Sequence, residues 1–148
     1  MAVTVWQDDW DEGQDWSGGG GRERRLPRGD KLGATLYELP PEGFVVYHFH
    51  HAWEELLVVL RGRLTLRTPS GERELEEGEV AHFPRGPEGA HAFSNRSSEP
   101  ARYLMASTLE LPEVAEYPDL RKITAQARTG SQTGERLWLI HDVDLEGP

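Results

Sequence analysis

Residues 43–62 of the chain read GFVVYHFHHAWEELLVVLRG. The stretch is rich in β-branched and aromatic residues, which favour strands, and a short polar turn divides it into two apolar runs. Side chains two positions apart in a strand project from the same face, so His48 and His50 point together. If the second run pairs antiparallel with the first, Glu54 or Glu55 returns beside these imidazoles. Two neutral imidazoles and a carboxylate inside an apolar shell are typical of a metal site.

A second cluster of polar residues lies in residues 78–95, GEVAHFPRGPEGAHAFSN. A glycine turn and a short apolar strand lead into a loop rich in proline and glycine, after which His91 begins another apolar run. His91 is therefore a fourth candidate ligand, contributed by a separate part of the chain.

Together the two stretches resemble the two sequence motifs of the cupin family. The first motif is matched by His48, one residue, His50, four residues, Glu55, six residues and Gly62. The second is matched by Gly78, five residues, Pro84, one residue and Gly86, and then by His91, three residues and Asn95. Four residues separate Gly86 from His91, where the family usually has two, and this lengthens the turn. The resemblance covers roughly residues 32–107.

The resemblance implies an all-β, single-domain cupin fold, which is a double-stranded β-helix or jelly-roll barrel. We expect residues 31–110 to form the barrel core and residues 1–30 to form an N-terminal arm. Residues 111–148 are expected to be an irregular C-terminal extension that packs on the barrel, and residues 137–140 are a candidate for a late strand. The residues point the same way, because short runs at even spacing with glycine turns and no convincing helix predict an antiparallel sandwich or barrel.

The predicted ligands of one divalent metal ion are His48, His50, Glu55 and His91. The six residues between Glu55 and Gly62, and the strand face that Glu55 shares with Leu57 and Val59, favour Glu55 over Glu54. A shorter spacing that the family also uses would instead select Glu54. Cysteine is absent, so thiolate ligands and disulfides are excluded.

The remaining histidines are predicted to lie outside the metal site. His51 follows the ligand strand and is expected to be an exposed turn residue, with a supporting contact to the site as the alternative. His82 shares a strand face with Val80, opposite to the apolar Ala81 and Phe83. His141 is predicted to lie on the surface.

Three imidazoles and one carboxylate leave one or two coordination positions open for water or substrate. This donor set suits iron, manganese, nickel, cobalt, zinc or copper, and the sequence does not choose among them. We expect a mostly apolar interior that accepts a small organic ligand. The candidates for its lining are Phe44, Val46, Leu57, Val59, Leu64, Leu66 and Phe93.

Two functions are consistent with such a site. One is a metal-dependent enzyme, a dioxygenase or an isomerase, that acts on a small organic substrate with the metal as a Lewis acid. The alternative is a metal-containing or small-molecule-binding sensor module without turnover. No catalytic residue beyond the metal ligands is identified.

Composition and charge limit the partners and the location. The net charge of −10, from 26 acidic and 16 basic residues, makes nucleic-acid binding a poor prediction. The longest apolar run, residues 56–60, is too short to cross a membrane, and the acidic N-terminal stretch does not resemble a secretory signal. We therefore expect a cytoplasmic protein.

The outward side of the second apolar run also needs to be covered. Leu56, Val58 and Leu60 face away from the predicted interior, and we expect a homodimer through this surface. The alternative is that the arm covers it, since Trp6, Trp10 and Trp16 are large apolar groups with reason to be buried. Our hypothesis for the arm is that its tryptophans pack against the barrel or a partner subunit.

Overall fold

The computed structural model describes residues 2–12, 19–128 and 136–142. Trp16 of the predicted arm and residues 143–148 of the predicted C-terminal extension lie outside these ranges. Neither of the two short helical turns in the described residues, Pro87–Gly89 and Pro118–Leu120, is long or apolar enough to span a membrane. The twelve strands are β1 (Arg22–Arg25), β2 (Leu32–Leu39), β3 (Phe44–His50), β4 (Glu55–Arg61), β5 (Leu64–Thr68), β6 (Gly71–Leu75), β7 (Val80–Phe83), β8 (His91–Ser94), β9 (Ala101–Thr108), β10 (Glu113–Tyr117), β11 (Lys122–Arg128) and β12 (Arg136–Asp142).

The strands form two antiparallel sheets. One has five strands in the order β1-β2-β9-β4-β7, and the other has seven in the order β12-β11-β10-β3-β8-β5-β6. The antiparallel pairing considered for the two runs of residues 43–62 is wrong, because β3 and β4 lie in different sheets, as the jelly-roll arrangement requires. The predicted all-β jelly-roll fold is confirmed.

The core lies between the inner faces of the two sheets. Leu57 and Val59 alternate along β4 with outward-facing residues and are almost fully buried, as are Leu64 and Leu66 on β5. Tyr103 on β9 packs with them, and its ring stacks on that of Tyr37 at a centroid distance of 5.2 Å. Strand alternation thus fills this end of the barrel with side chains and leaves the space near β3 for the site.

Two parts of the chain are more regular than predicted. The expected irregular C-terminal extension contains β10, β11 and β12, which lengthen the seven-stranded sheet beyond β3. Pro118 lies in the turn between β10 and β11, where it interrupts no ladder. Within the expected arm, β1 pairs with β2 along its whole length.

The N-terminal residues lie across the outer face of the five-stranded sheet. Arg102 is buried there and bonds to Glu38 at 2.7 Å, to Asp8, and to the carbonyl oxygen of Val5 at 3.2 Å. The Trp10 ring contacts the Arg102 guanidinium at 4.9 Å. The arm covers only this part of the sheet, because Leu56 on β4 remains 41% exposed.

Candidate metal centre

Three strands from two sheets bring the four predicted ligands together. His48 and His50 project from the same face of β3, next to a register shift between Val45 and His48. His91 begins β8 and lies directly opposite His48 in the antiparallel ladder. Glu55 begins β4 in the other sheet and is only 7% exposed. The ligand set therefore joins the two layers of the barrel at one end of the core.

The potential ligand atoms are close enough to share one ion. One ligand atom from each of His48, His50 and Glu55 lies within 4.8 Å of the other two. Glu55 Oε2 lies 3.4 Å from His50 Nε2 and 3.3 Å from His91 Nε2. The His48 and His91 ring centroids are 4.5 Å apart. His48, His50 and Glu55 thus meet at one point, and His91 lies beside Glu55 and His48.

Hydrogen bonds to the Nδ1 atoms fix which ring nitrogen faces the centre. His48 Nδ1 lies 2.8 Å from the carbonyl oxygen of Val46, and His91 Nδ1 lies 2.8 Å from that of Gly89. His50 Nδ1 lies 2.9 Å from Glu113 Oε1. A carbonyl or carboxylate oxygen only accepts, so each Nδ1 carries the proton and donates it. Each neutral imidazole then presents its Nε2 lone pair to the centre, as metal-binding histidines do.

The centre contains polar atoms that nothing in the described part of the chain satisfies. Glu55 Oε1 accepts a hydrogen bond from Ser107 Oγ at 2.9 Å, but Glu55 Oε2 and His91 Nε2 are buried without a hydrogen-bond partner. Both are acceptors, and leaving buried acceptors face to face costs free energy. A divalent cation between them satisfies both, so the residues present fit the metal that the fold implies.

Each imidazole ring is also held by an aromatic ring stacked on it. Phe83 stacks on His91 at a centroid distance of 3.9 Å, Trp53 stacks on His50 at 5.2 Å, and Tyr117 stacks on His48 at 5.5 Å. The interplanar angles are 25°, 21° and 22°, respectively. Stacking and the Nδ1 hydrogen bonds together restrict both ring orientation and ring rotation. The site is therefore organised before any ligand binds.

Burial and neighbouring charges shift the pKa values of three ligands. Burial, reinforced by the nearby His91 and His50, lowers the pKa of His48 to about 3. Burial alone would raise the pKa of Glu55, but the surrounding histidines outweigh it and lower this pKa to about 2. Burial would lower the pKa of His50, but the hydrogen bond to Glu113 and the charge of Glu55 raise it. Near neutral pH, Glu55 is a carboxylate and His48 is neutral, which is the ligand form for both.

The structure places Glu54 and His82 away from the centre. Glu54 is exposed and lies 2.6 Å from His82 Nε2 on the outer face, whereas Glu55 points inward. The spacing that selects Glu55 is therefore the one that matches this fold. His51 is exposed and lies 2.7 Å from Glu116, and His141 is exposed on β12.

The lengthened turn before His91 forms the short helical turn Pro87–Gly89. Gly86 precedes it with a φ of 85°, a conformation that favours glycine, and its N–H donates to the carbonyl oxygen of His50 at 2.7 Å. This bond ties the loop to the end of β3. The two additional residues are absorbed in the turn, and His91 still enters the ladder opposite His48.

A cavity of about 810 Å³ adjoins the four residues, and all four line it. Phe44, Val46 and Phe93 line it as expected, but the predicted Leu57, Val59, Leu64 and Leu66 belong to the closed core. The lining is also more polar than expected. It includes Tyr37, Thr124 and Gln126, together with charged residues from β1 and the segments beside it. The cavity is large enough for a ligand of ordinary metabolite or drug size.

Sequence reasoning missed the groups that support the ligands. Glu113 and Ser107 contact ligand side chains directly, and Tyr117 stacks on one, yet none belongs to a recognised motif. A signal for Glu113 is present in the sequence EVAEY, where alternation places it on the same strand face as Ala115 and Tyr117. A carboxylate at a position that strand alternation places on the buried face indicates a specific buried partner.

The fold and the candidate site point to one class of protein. It is the class of small two-sheet β-barrels that bind a metal through histidines and a glutamate at the end of the core. The family model for the cupin domain (Cupin_2) matches residues 35–107, which contain all four residues. The chain belongs to the cupin superfamily, whose members commonly bind a divalent metal ion. A search of curated protein sequences finds no significant match.

Solved structures similar to this chain include three with more than a quarter of their aligned residues identical. A sugar phosphate isomerase of the cupin superfamily from Silicibacter pomeroyi is 29% identical, with a TM-score of 0.71, covering 83% of this chain and 76% of that one. A putative sugar phosphate isomerase from Acidithiobacillus ferrooxidans is 26% identical, with a TM-score of 0.68, covering 83% and 78%. The polyketide cyclase RemF from Streptomyces resistomycificus is 27% identical, with a TM-score of 0.63, covering 76% and 84%.

Proposed function

We propose that this protein is a metal-dependent enzyme that rearranges a small organic molecule by isomerase- or cyclase-type chemistry. His48, His50, His91 and Glu55 would hold one divalent cation at the inner end of the cavity. The observation that carries the proposal is the convergence of acceptor atoms. Each Nδ1 is engaged elsewhere, and the buried Glu55 Oε2 and His91 Nε2 have no hydrogen-bond partner among the residues that the structure describes. Such a centre attracts a cation rather than a neutral group.

A bound cation would supply Lewis-acid polarisation of a substrate oxygen, which acidifies a neighbouring C–H bond. The side chains of this cavity orient the substrate and exclude water. Tyr37 lines the cavity, and burial raises its pKa, so its hydroxyl keeps the proton at neutral pH and can donate a hydrogen bond. The other carboxylates that line the cavity among the described residues, Asp11, Glu12 and Glu23, belong to the N-terminal segment and β1. Glu55 is therefore the buried carboxylate nearest to a substrate at the inner end.

The similarity to two sugar phosphate isomerases makes an anionic sugar derivative the first substrate class to test. Arg28 supports this choice, because it lines the cavity and has no ion-pair partner among residues 2–12, 19–128 and 136–142. Arg25, also in the lining, has only a long contact of 3.7 Å to Glu23. Two exposed guanidinium groups at the cavity rim offer bidentate donors to a phosphate.

The test is proton exchange in deuterated water with the metal-reconstituted protein and a panel of aldose and ketose phosphates, followed by NMR. Isomerisation moves a proton from one carbon to its neighbour, so product and recovered substrate should incorporate deuterium. A protein that binds these compounds without exchange or conversion would instead be the binding or sensor module. Dioxygenase chemistry, the other candidate consistent with the donor set, would be detected as oxygen consumption in the same samples.

The expectations about assembly and location remain proposals. We propose a homodimer formed through the outer face of the five-stranded sheet, where Leu56 and Val80 are 41% and 51% exposed. Light scattering after size-exclusion chromatography of the wild type and of Leu56→Glu tests this, and a wild-type monomer would overturn it. The cytoplasmic location and the lack of nucleic-acid binding also remain predictions.

A further inference from the structure

Glu113 is a second carboxylate at the centre, and it belongs to no cupin motif. It begins β10, outside the residues that match the family, and its side chain is 1% exposed. Its Oε1 lies 2.9 Å from His50 Nδ1, and its Oε2 accepts a hydrogen bond from the Ala52 N–H at 2.7 Å. A buried carboxylate is costly unless it is well paired, so these two contacts account for its position.

The fold brings Glu113 to His50 across 63 residues of sequence. Strand β10 pairs antiparallel with β3, with Ala115 opposite His50. The Ala52 contact extends the same carboxylate to the turn that leads into Glu55 and β4. Glu113 therefore connects the C-terminal strands to His50 and to the turn between β3 and β4.

Glu113 also contributes to the charge balance around a divalent ion at the centre. A divalent cation carries two positive charges, three neutral imidazoles carry none, and Glu55 supplies one negative charge. Glu113 supplies the second, one imidazole ring away from the bound ion. A carboxylate at this distance also makes the imidazole a better donor to a metal and fixes its orientation.

We propose that Glu113 is a positioning residue for the metal centre, which holds His50 with its proton on Nδ1 and balances the charge of a divalent ion. The inference rests on the proposed metal-dependent function. It differs from a purely structural role, because it requires the effect of Glu113 to appear in metal affinity and ligand field and not only in stability.

Glu113→Gln tests this role with almost no change in shape. An amide has one accepting oxygen, whereas Glu113 accepts two hydrogen bonds. If the amide oxygen accepts from the Ala52 N–H, the amide N–H groups face His50 Nδ1. They then favour the tautomer of His50 protonated on Nε2, which cannot bind a metal through that atom. If the oxygen serves His50, the amide faces the Ala52 N–H donor to donor. The first arrangement keeps the His50 contact only in the tautomer that cannot bind the metal, the second loses the Ala52 contact, and the negative charge is lost in both.

Glu116→Gln is a matched control. Glu116 lies on the same strand and contacts His51 Nε2 at 2.7 Å, but this pair is exposed and away from the metal ligands. Its replacement removes one surface Glu–His contact and one negative charge from β10. It therefore separates the local effect of Glu113 from general effects of charge and strand stability.

The experiment measures Co²⁺ and Zn²⁺ dissociation constants by chelator competition, with the visible spectrum of bound Co²⁺ and the Tm of the metal-free proteins as separate readouts. Glu113→Gln should bind about 10- to 100-fold more weakly than the wild type and change the Co²⁺ spectrum. Glu116→Gln should match the wild type in both. Glu113→Asp, which keeps the charge, should bind more tightly than Glu113→Gln and serves as the test if the latter fails to fold.

Unchanged affinity and an unchanged Co²⁺ spectrum in both Glu113 variants would overturn the inference, even if their Tm falls. Failure of the wild type itself to bind either metal would overturn the proposed function instead. The two failures are therefore distinguished by the wild-type titration in the same experiment.

Discussion

Replacing Glu55 by glutamine should make the metal-free protein more stable than the metal-free wild type, but the metal-loaded protein less stable than the metal-loaded wild type. In the metal-free wild type, Glu55 Oε2 faces His91 Nε2 at 3.3 Å and His50 Nε2 at 3.4 Å. With the proton of each histidine on Nδ1, these contacts join an acceptor to an acceptor. In E55Q the amide oxygen can still accept from Ser107 Oγ, and the amide N–H groups then point at the two Nε2 lone pairs.

The expected size follows from the two buried atoms that lack partners, Glu55 Oε2 and His91 Nε2. A buried unsatisfied polar group costs about 1–3 kcal/mol, and one new hydrogen bond relieves the pair. Metal-free E55Q should therefore be about 1–3 kcal/mol more stable than the metal-free wild type, or roughly 2–12 °C higher in Tm for a chain of this size. With metal at 1,000 times its Kd for the wild type the order reverses, because binding then stabilises the wild type by about 4.1 kcal/mol.

The assay is thermal unfolding by circular dichroism of chelator-treated and metal-reconstituted samples of both proteins at one mildly alkaline pH. Ser107→Ala is the control, since it removes only the hydrogen bond to Glu55 Oε1 and keeps the carboxylate. A metal-free E55Q that is less stable than the metal-free wild type would refute the reasoning. It would show that Glu55 is already satisfied by a protonated histidine.

Three further predictions concern the ligands, the pH and the arm. His50→Ala should bind no stoichiometric metal in elemental analysis, while its circular dichroism spectrum stays that of a folded β protein. Glu54→Gln, the control, should keep the metal. Unfolding of His50→Ala would contradict this prediction. The folded-state pKa of His48 is about 3, against an ordinary 6.5, so the unfolded state binds more protons between these two pH values. The metal-free protein should therefore lose stability as the pH falls from 6.5 to 3, which acid titration followed by fluorescence measures. His48→Asn should flatten this dependence of stability on pH. Arg102→Met removes one of the two arginines bonded to the buried Glu38 and should lower the free energy of unfolding by about 3–5 kcal/mol in chemical denaturation. A loss no larger than that of Asp8→Asn would show that the buried pair of Arg102 and Glu38 is unimportant for stability.

The barrel strands could be predicted because their pattern is local. In β4, alternate residues are buried and Gly62 follows the last residue of the strand, so the apolar run is recognisable as a strand from the sequence. The C-terminal strands were harder, since Pro118 and the short alternation in EVAEY look like an irregular segment. β10 and β11 are recognisable only once β3 offers an edge to pair with. Strand β1 is a charged RERR segment whose pairing with β2 has no local signal.

The candidate ligands could be located from the sequence because both motifs fix their spacing relative to glycine turns. Glu55 rather than Glu54 follows from strand alternation, and the structure agrees. The contacts that hold the ligands could not be predicted in the same way. His50 and Glu113 are 63 residues apart, and Glu55 and Ser107 are 52 apart, so only the pairing of strands brings them together. The predicted cavity lining is wrong in part for a related reason. Four of its apolar side chains contact one another in the closed core and do not face the cavity.

The most direct test of the metal centre is a crystal structure of untagged protein purified without chelator, with anomalous data collected across the absorption edges of the metals found by elemental analysis. The account predicts one anomalous peak per chain, at about 2.0–2.2 Å from the Nε2 atoms of His48, His50 and His91 and from a carboxylate oxygen of Glu55. No peak between these four residues in protein reconstituted with metal, or one that omits the histidine from β8, would contradict it.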